Sequence, residues 1–134
     1  LFEADSLIEA GNYAEAEDAY SAFHAAPRAD AVKVLAREGL GYAIEGKSLA
    51  ENEAQARQAG LEAALKAFEA MQPNTAGPGH KRALYHQGRM LAALERREDA
   101  IAKFREILSG DPGDLEGEVE NRLAALTKSS KPTP

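Results

Sequence analysis

The stretch LYHQGRMLAALERREDAIAKFREILSGDP, residues 84–112, decides the fold. In it Leu84, Gly88, Leu91, Ala100, Phe104 and Pro112 stand at spacings of four, three, nine, four and eight residues. These positions suit two helix-length segments joined by a tight link. Gly88 removes a side chain from the middle of the first segment and Ala100 leaves only a methyl in the second, so the two axes can approach closely and cross at an angle set by their ridges. Phe104 then fills the space beside them. Ala100, Ile101, Phe104, Ile107 and Leu108 recur at three- and four-residue intervals and form one apolar stripe. Ser109-Gly110-Asp111 stops the second helix, and Pro112, which lacks a backbone N–H, cannot continue it.

The joint spacing resembles the tetratricopeptide repeat, a helix–turn–helix unit of about 34 residues. The resemblance implies an all-α, right-handed helical solenoid of about three such units with a C-terminal capping helix, and work of one kind, the holding of other proteins. Upstream, Leu35, Gly39 and Tyr42 repeat the spacing of Leu84, Gly88 and Leu91, while Ala64, Phe68 and Met71 repeat that of Ala100, Phe104 and Ile107. Aligning both halves leaves an excess of about 13 residues around Lys47 to Ala59, which a minimal unit would lack. Ser48-Leu49-Ala50-Glu51 has the form of a capping box, in which the Ser side chain bonds a free backbone N–H and the Glu reaches back. The excess is therefore expected to lengthen the second helix of this unit, from Leu49 to Met71. Gly60 lies inside it at a cost of about 1 kcal/mol against Ala, and a break near Gly60 with a short separate helix before it is the competing expectation.

Gly11, Tyr13, Glu15, Ala16 and Tyr20 resemble the turn and second helix of an earlier unit closed by Pro27. The helix before them, Leu1 to Ala10, is short, and the chain begins with Leu, which leads us to expect a preceding segment. At the other end Leu115, Val119, Leu123 and Leu126 fall every three or four residues among polar ones, as in a helix that covers the open end of a stack. The expected organisation is one domain over 1–126, with units at 1–31, 32–78 and 79–114 and a capping helix at 115–126. Residues 127–134, rich in Lys, Ser, Thr and Pro and without apolar side chains, read as a disordered tail.

Composition supports helix almost throughout, since Ala, Leu and Glu are abundant and β-branched residues few. A formal charge of −6 argues against nucleic acid as the partner, which needs a basic face. The chain has no cysteine, so a disulfide framework, a Cys-ligated zinc and a Cys nucleophile are excluded. No apolar run approaches the ~18 residues of a membrane span, so this segment is not expected to insert into a membrane.

Nothing in the sequence assembles a catalytic or cofactor site. His24, His80 and His86 lack the HExxH spacing that sets two imidazoles and a general base on one helical face. Gly77-Pro78-Gly79-His80-Lys81 lacks the spacing of a phosphate-binding loop and follows no strand, so it reads as an inter-helix linker. Asp111-Pro112-Gly113-Asp114 is turn chemistry without the remaining ligands of a calcium loop. No serine stands in a G-x-S-x-G elbow. The expectation is a protein that is not an enzyme and needs no metal or other cofactor.

One constellation stands out as a candidate binding site. Arg82, Tyr85, His86 and Arg89 are three and four residues apart and share a helical face. In the alignment of units, Lys33 and Arg37 lie level with Arg82 and His86. In tetratricopeptide proteins the first helices of successive units line the concave surface, so the resemblance implies a basic stripe with one aromatic in a net-acidic protein. Arg recognises carboxylates through bidentate, charge-assisted bonds, and an acidic segment or a peptide C-terminus is the expected ligand. Glu38 could neutralise part of the stripe. The family's carboxylate-clamp subgroup uses a Lys and an Asn on its first unit, where this chain has Leu1 and Asp5. Two other readings stand beside the groove. Leu1, Phe2, Leu7 and Ile8 could dock by apolar packing at an open N-terminal end, in an oligomer or a larger assembly. Gly11 to Ala16 and Arg122 to Leu126 are similar to periplasmic tetratricopeptide proteins of bacterial envelope assembly, such as the YfgM-like group, which implies a periplasmic protein tethered to the membrane through a preceding segment.

Overall fold

The computed structural model describes residues 11–25, 30–72, 75, 77 and 79–128. Among them the chain is all-helical, with α1 (Tyr13–Ala25), α2 (Asp30–Leu49), α3 (Ala54–Glu69), α4 (His80–Ala93), α5 (Arg97–Ser109), a 3-10 turn (Gly113–Leu115) and α6 (Glu116–Lys128). Each helix packs against its neighbours in sequence, so that α2 with α3 and α4 with α5 form hairpins while α3 joins α4 across the linker. One core runs through them, from Val34 and Ile44 by way of Phe68, Met71, Leu84 and Leu91 to Phe104, Ile107 and Val119. The segment Leu1–Ala10, and with it the apolar N-terminal end formed by Leu1, Phe2, Leu7 and Ile8, lies outside the described residues, as does 129–134.

The α4–α5 hairpin follows the sequence reading. A Cβ placed on Gly88 would lie 2.5 Å from Phe104 Cε1, closer than side-chain carbons approach, so glycine is what allows the ring to lie against α4. Phe104 and Ala100 are fully buried. The link between the helices turns on Glu95, at φ 62°, with Arg96 N–H donating to the Leu91 carbonyl at 2.8 Å and Glu95 N–H to that of Ala92 at 3.0 Å. That is the double bond pattern which satisfies the last carbonyls of a helix, here with glutamate in the left-handed position glycine favours. Glu98 and Asp99 in the first turn of α5 complement the positive end of the helix.

The α2–α3 hairpin differs from expectation in register and in its turn. Gly41, not Gly39, holds the place of Gly88: its added Cβ would meet Phe68 Cζ at 2.6 Å. The two glycines sit two residues apart on one helix, and only side-chain packing distinguishes them. Gly41 and Phe68 are 27 residues apart where Gly88 and Phe104 are 16 apart. The extra chain extends both α2 and α3, with the turn at 50–53, before Gly60. The helix expected from Leu49 to Met71 thus begins only at Ala54, and no capping box forms at Ser48. Ser48 lies inside α2, buried, and its hydroxyl donates back to the Ile44 carbonyl at 2.7 Å. Gly60 does not break α3; it gives Ser48 room, since an added Cβ would approach Ser48 Cβ to 2.6 Å. At the C-terminus α6 continues through Thr127, whose hydroxyl donates to the Leu123 carbonyl at 3.0 Å, to Lys128, two residues past the expected end of the capping helix.

Candidate functional site

The face that gathers α2, α4 and α6 carries a ladder of side-chain bonds between residues far apart in sequence. Arg82 donates from Nε to Glu38 Oε2 at 3.1 Å and from Nη2 to Glu38 Oε1. Arg89 donates from Nη1 and Nη2 to the two carboxylate oxygens of Glu45 at 2.8 and 3.0 Å. Between these rungs His86 Nε2 lies 2.7 Å from Glu38 Oε2 and 3.3 Å from the Tyr42 hydroxyl. The pairs Arg82–Glu38, His86–Tyr42 and Arg89–Glu45 each join residues 44 apart, in ascending order, so α2 and α4 run parallel along this face. On the far side of α4, Tyr85 donates to Glu118 Oε1 at 3.2 Å, and Arg122 Nε donates to the Tyr85 oxygen at 3.0 Å, which ties α6 to α4.

The hydrogen bonds of His86 follow from what faces it. Arg89 presents only donors, at 3.0 and 3.3 Å from Nδ1, so Nδ1 accepts and Nε2 carries the hydrogen that Glu38 receives. The ring is buried and stacks on Phe68 with centroids 4.5 Å apart and planes 23° apart. Arg89 is enclosed in the same way, its Cζ 5.9 Å from the centroids of Tyr42 and Phe68 and 5.8 Å from that of Tyr85. A planar, delocalised cation is suited to such a place, with rings beside it and a carboxylate across its donor edge.

Burial shapes the electrostatics of each group. It pushes the Glu38 carboxyl up, but the hydrogen bonds from His86 and Arg82, and the charge beside it, outweigh it and hold the group below the ordinary glutamate value. Burial pushes the Arg89 guanidinium down, and the bonds and charge of Glu45 more than reverse it. For Tyr42 burial and the Glu38 charge act together and raise the hydroxyl, which stays protonated and able to donate.

Above the ladder is an open groove of about 410 Å³, lined by Glu38, Tyr42, Arg82, Tyr85 and His86, with Lys81, Pro112, Asp114 and Leu115 at its rim. Four of the six residues singled out in the sequence, Arg82, Tyr85, His86 and Arg89, therefore do come together. Lys33 and Arg37 do not take the expected places beside them: at 3.6 residues per turn they point roughly a quarter turn or more away from Glu38 around the α2 axis. The positions that face α4 are Glu38, Tyr42 and Glu45. The stripe expected to be basic is consequently balanced, because each Arg on it meets a carboxylate. A signal for the missing partners is present in the sequence, since Glu38, Tyr42 and Glu45 have the same four-and-three spacing as Arg82, His86 and Arg89.

No three His, Asp or Glu side chains converge as a metal ion would require among the described residues. Among them also, no helix is long and apolar enough to cross a membrane. The chain matches no protein-family model, and no curated protein and no solved structure is similar to it at a significant level.

Proposed function

We propose that the protein is a non-catalytic protein-binding module built as a tetratricopeptide-like stack, and that its binding surface is the face shared by α2, α4 and α6. The observation that carries this reading is the parallel, side-chain-bonded arrangement of α2 and α4 beneath an open groove. Such a face is rigid before any partner arrives, because its charged groups are already held by one another, and little side-chain freedom is lost on binding. The glycine-to-phenylalanine contact found in both hairpins supports the stacked architecture. The groove's two tyrosines, Tyr42 and Tyr85, are of a residue type that anchors protein interfaces.

Site-specific photo-crosslinking tests the reading in cells. A photoreactive residue at Leu35 or Tyr42 is expected to capture a protein partner, whereas one at Gln58 on α3 or Arg105 on α5 is not. Capture only from Gln58 or Arg105 would move the binding surface to the opposite side and end the groove reading.

A further inference from the structure

The groove is a charge-balanced surface, and this decides what it can recognise. Glu38 and Asp114 offset Lys81 and Arg82 around the groove, Glu45 offsets Arg89, and Glu118 offsets Arg122. His86 accepts at Nδ1 and donates at Nε2 and adds no charge. Of the arginines facing α2, Arg89 is only 14% exposed and locked against Glu45, while Arg82 is 52% exposed but gives Nε and Nη2 to Glu38. A ligand carboxylate at Arg82 would find one donor edge and the Glu38 charge behind it, and would lose its own water to reach them. What this face leaves unsatisfied is apolar. Leu35 is 46% exposed and Tyr42 40%; they lie seven residues apart on α2, hence on one side of the helix, and Pro112 and Leu115 line the same groove as Tyr42.

Resting on the proposed function above, we infer that the groove selects a peptide segment of low net charge that carries a large aliphatic or aromatic side chain, and does not select an acidic segment or a C-terminal carboxylate. The anchor covers Leu35 and Tyr42 and reaches into the groove toward Pro112 and Leu115. The charged rungs shape the floor and contribute no net attraction.

Selection of short random peptides displayed on phage against the full chain provides the test, followed by titration of the enriched peptides, synthesised with amidated and with free C-termini. The expected consensus has an aliphatic or aromatic anchor and few charges, an affinity that changes by about twofold or less between about 50 and 500 mM salt, and no dependence on the free carboxylate. Leu35→Ser and Tyr42→Ala, each checked for retained helicity, are expected to weaken binding by about tenfold. An Asp- and Glu-rich consensus whose affinity falls about tenfold or more with salt, and is lost in Arg82→Gln, would overturn this inference while leaving the groove as the binding surface. Enriched peptides indifferent to the Leu35, Tyr42 and Arg82 changes, or no enrichment at all, would remove the groove reading and the inference together.

Discussion

The α2–α3 and α4–α5 hairpins close on the same contact, a phenylalanine ring laid on a glycine of the preceding helix, yet they differ in everything beyond it. In α4–α5 the chain turns at once, through Glu95 and two closing backbone bonds. In α2–α3 both helices run on and need a second close approach, Ser48 against Gly60, to stay together. Gly46 of the extended α2 in turn lies against the Tyr13 ring of α1. Close packing sets the crossing point of a hairpin, and the length of its arms is free as long as each added turn finds its own place to pack. Added chain in the middle of such a unit is therefore absorbed as helix when it carries small residues at the right spacing.

The shared contact also provides the most forceful way to break the comparison. Phe68 and Phe104 are both fully buried, and replacing either by Ala should cost about 3–5 kcal/mol in denaturant unfolding. Phe68→Ala is expected at the upper end, because His86 stacks on that ring and Arg89 lies beside it. If Phe104→Ala proves clearly the more damaging, the two contacts do not play equivalent parts and the rings on the groove floor add nothing to stability.

The hairpins also divide the chemistry of the groove, with α2 supplying the carboxylates and α4 the guanidinium groups. Glu38 is held below its ordinary pKa when folded, so its contribution is complete above the value it has in the unfolded chain and is lost as pH falls through the folded value. Stability should therefore decline on acidification below the ordinary glutamate range. Glu38→Gln should reduce stability at neutral pH by about 2 kcal/mol, because Arg82 and His86 lose a buried charged partner. The variant should also flatten the acid limb of the stability curve. An unchanged acid limb would mean that other carboxylates govern it and that the link between hairpins rests on packing alone.

How legible each hairpin was in the sequence follows from the same contrast. The α4–α5 unit could be read from Gly88 and Phe104 because α4 has one interior glycine to choose, and a turn of three residues leaves no doubt about length. In α2 the run Gly39-Leu40-Gly41 offers two, and spacing alone selected Gly39. That alignment sets Lys33 and Arg37 level with Arg82 and His86, the places that Glu38 and Tyr42 take. The arginines of the site were readable as an i, i+3, i+4 set on one helix. Their partners belong to another helix 44 residues earlier, and pairing them requires the register that only packing establishes.

The turns offer a smaller test. Glu95 occupies a left-handed conformation, φ 62°, that costs a residue with a Cβ about 1–2 kcal/mol and glycine almost nothing. Part of that gain is returned through the greater freedom of glycine in the unfolded chain. Glu95→Gly should still raise stability by about 0.5–1 kcal/mol and shift the melting temperature upward. The α2–α3 turn has no positive-φ residue, so no glycine introduced at positions 50–53 should do the same. A loss of stability in Glu95→Gly would show that the glutamate side chain, and not the turn geometry, holds the short link.

The smallest expected effect decides where the α2–α3 turn lies. If Ser48 caps α3, Ser48→Ala removes a cap and should cost about 1 kcal/mol, within the usual range of 0.5–2. In the structure the Ser48 hydroxyl instead donates to the Ile44 carbonyl one turn back in its own helix, a bond that competes with helix geometry. Alanine at this place keeps the Cβ that meets Gly60, loses one modest hydrogen bond and gains in helix propensity. These terms oppose one another and are similar in size, so Ser48→Ala should leave the unfolding free energy within about 0.5 kcal/mol of the parent. Amide exchange gives the sharper reading, because a lost cap would speed exchange at Ala50 and Glu51, the amides that a Ser48 cap would hold, whereas loss of the back-bond leaves those amides on the Gly46 and Ser48 carbonyls. Faster exchange there, together with a loss near 1 kcal/mol, would place the start of α3 at Leu49 and shorten α2 accordingly.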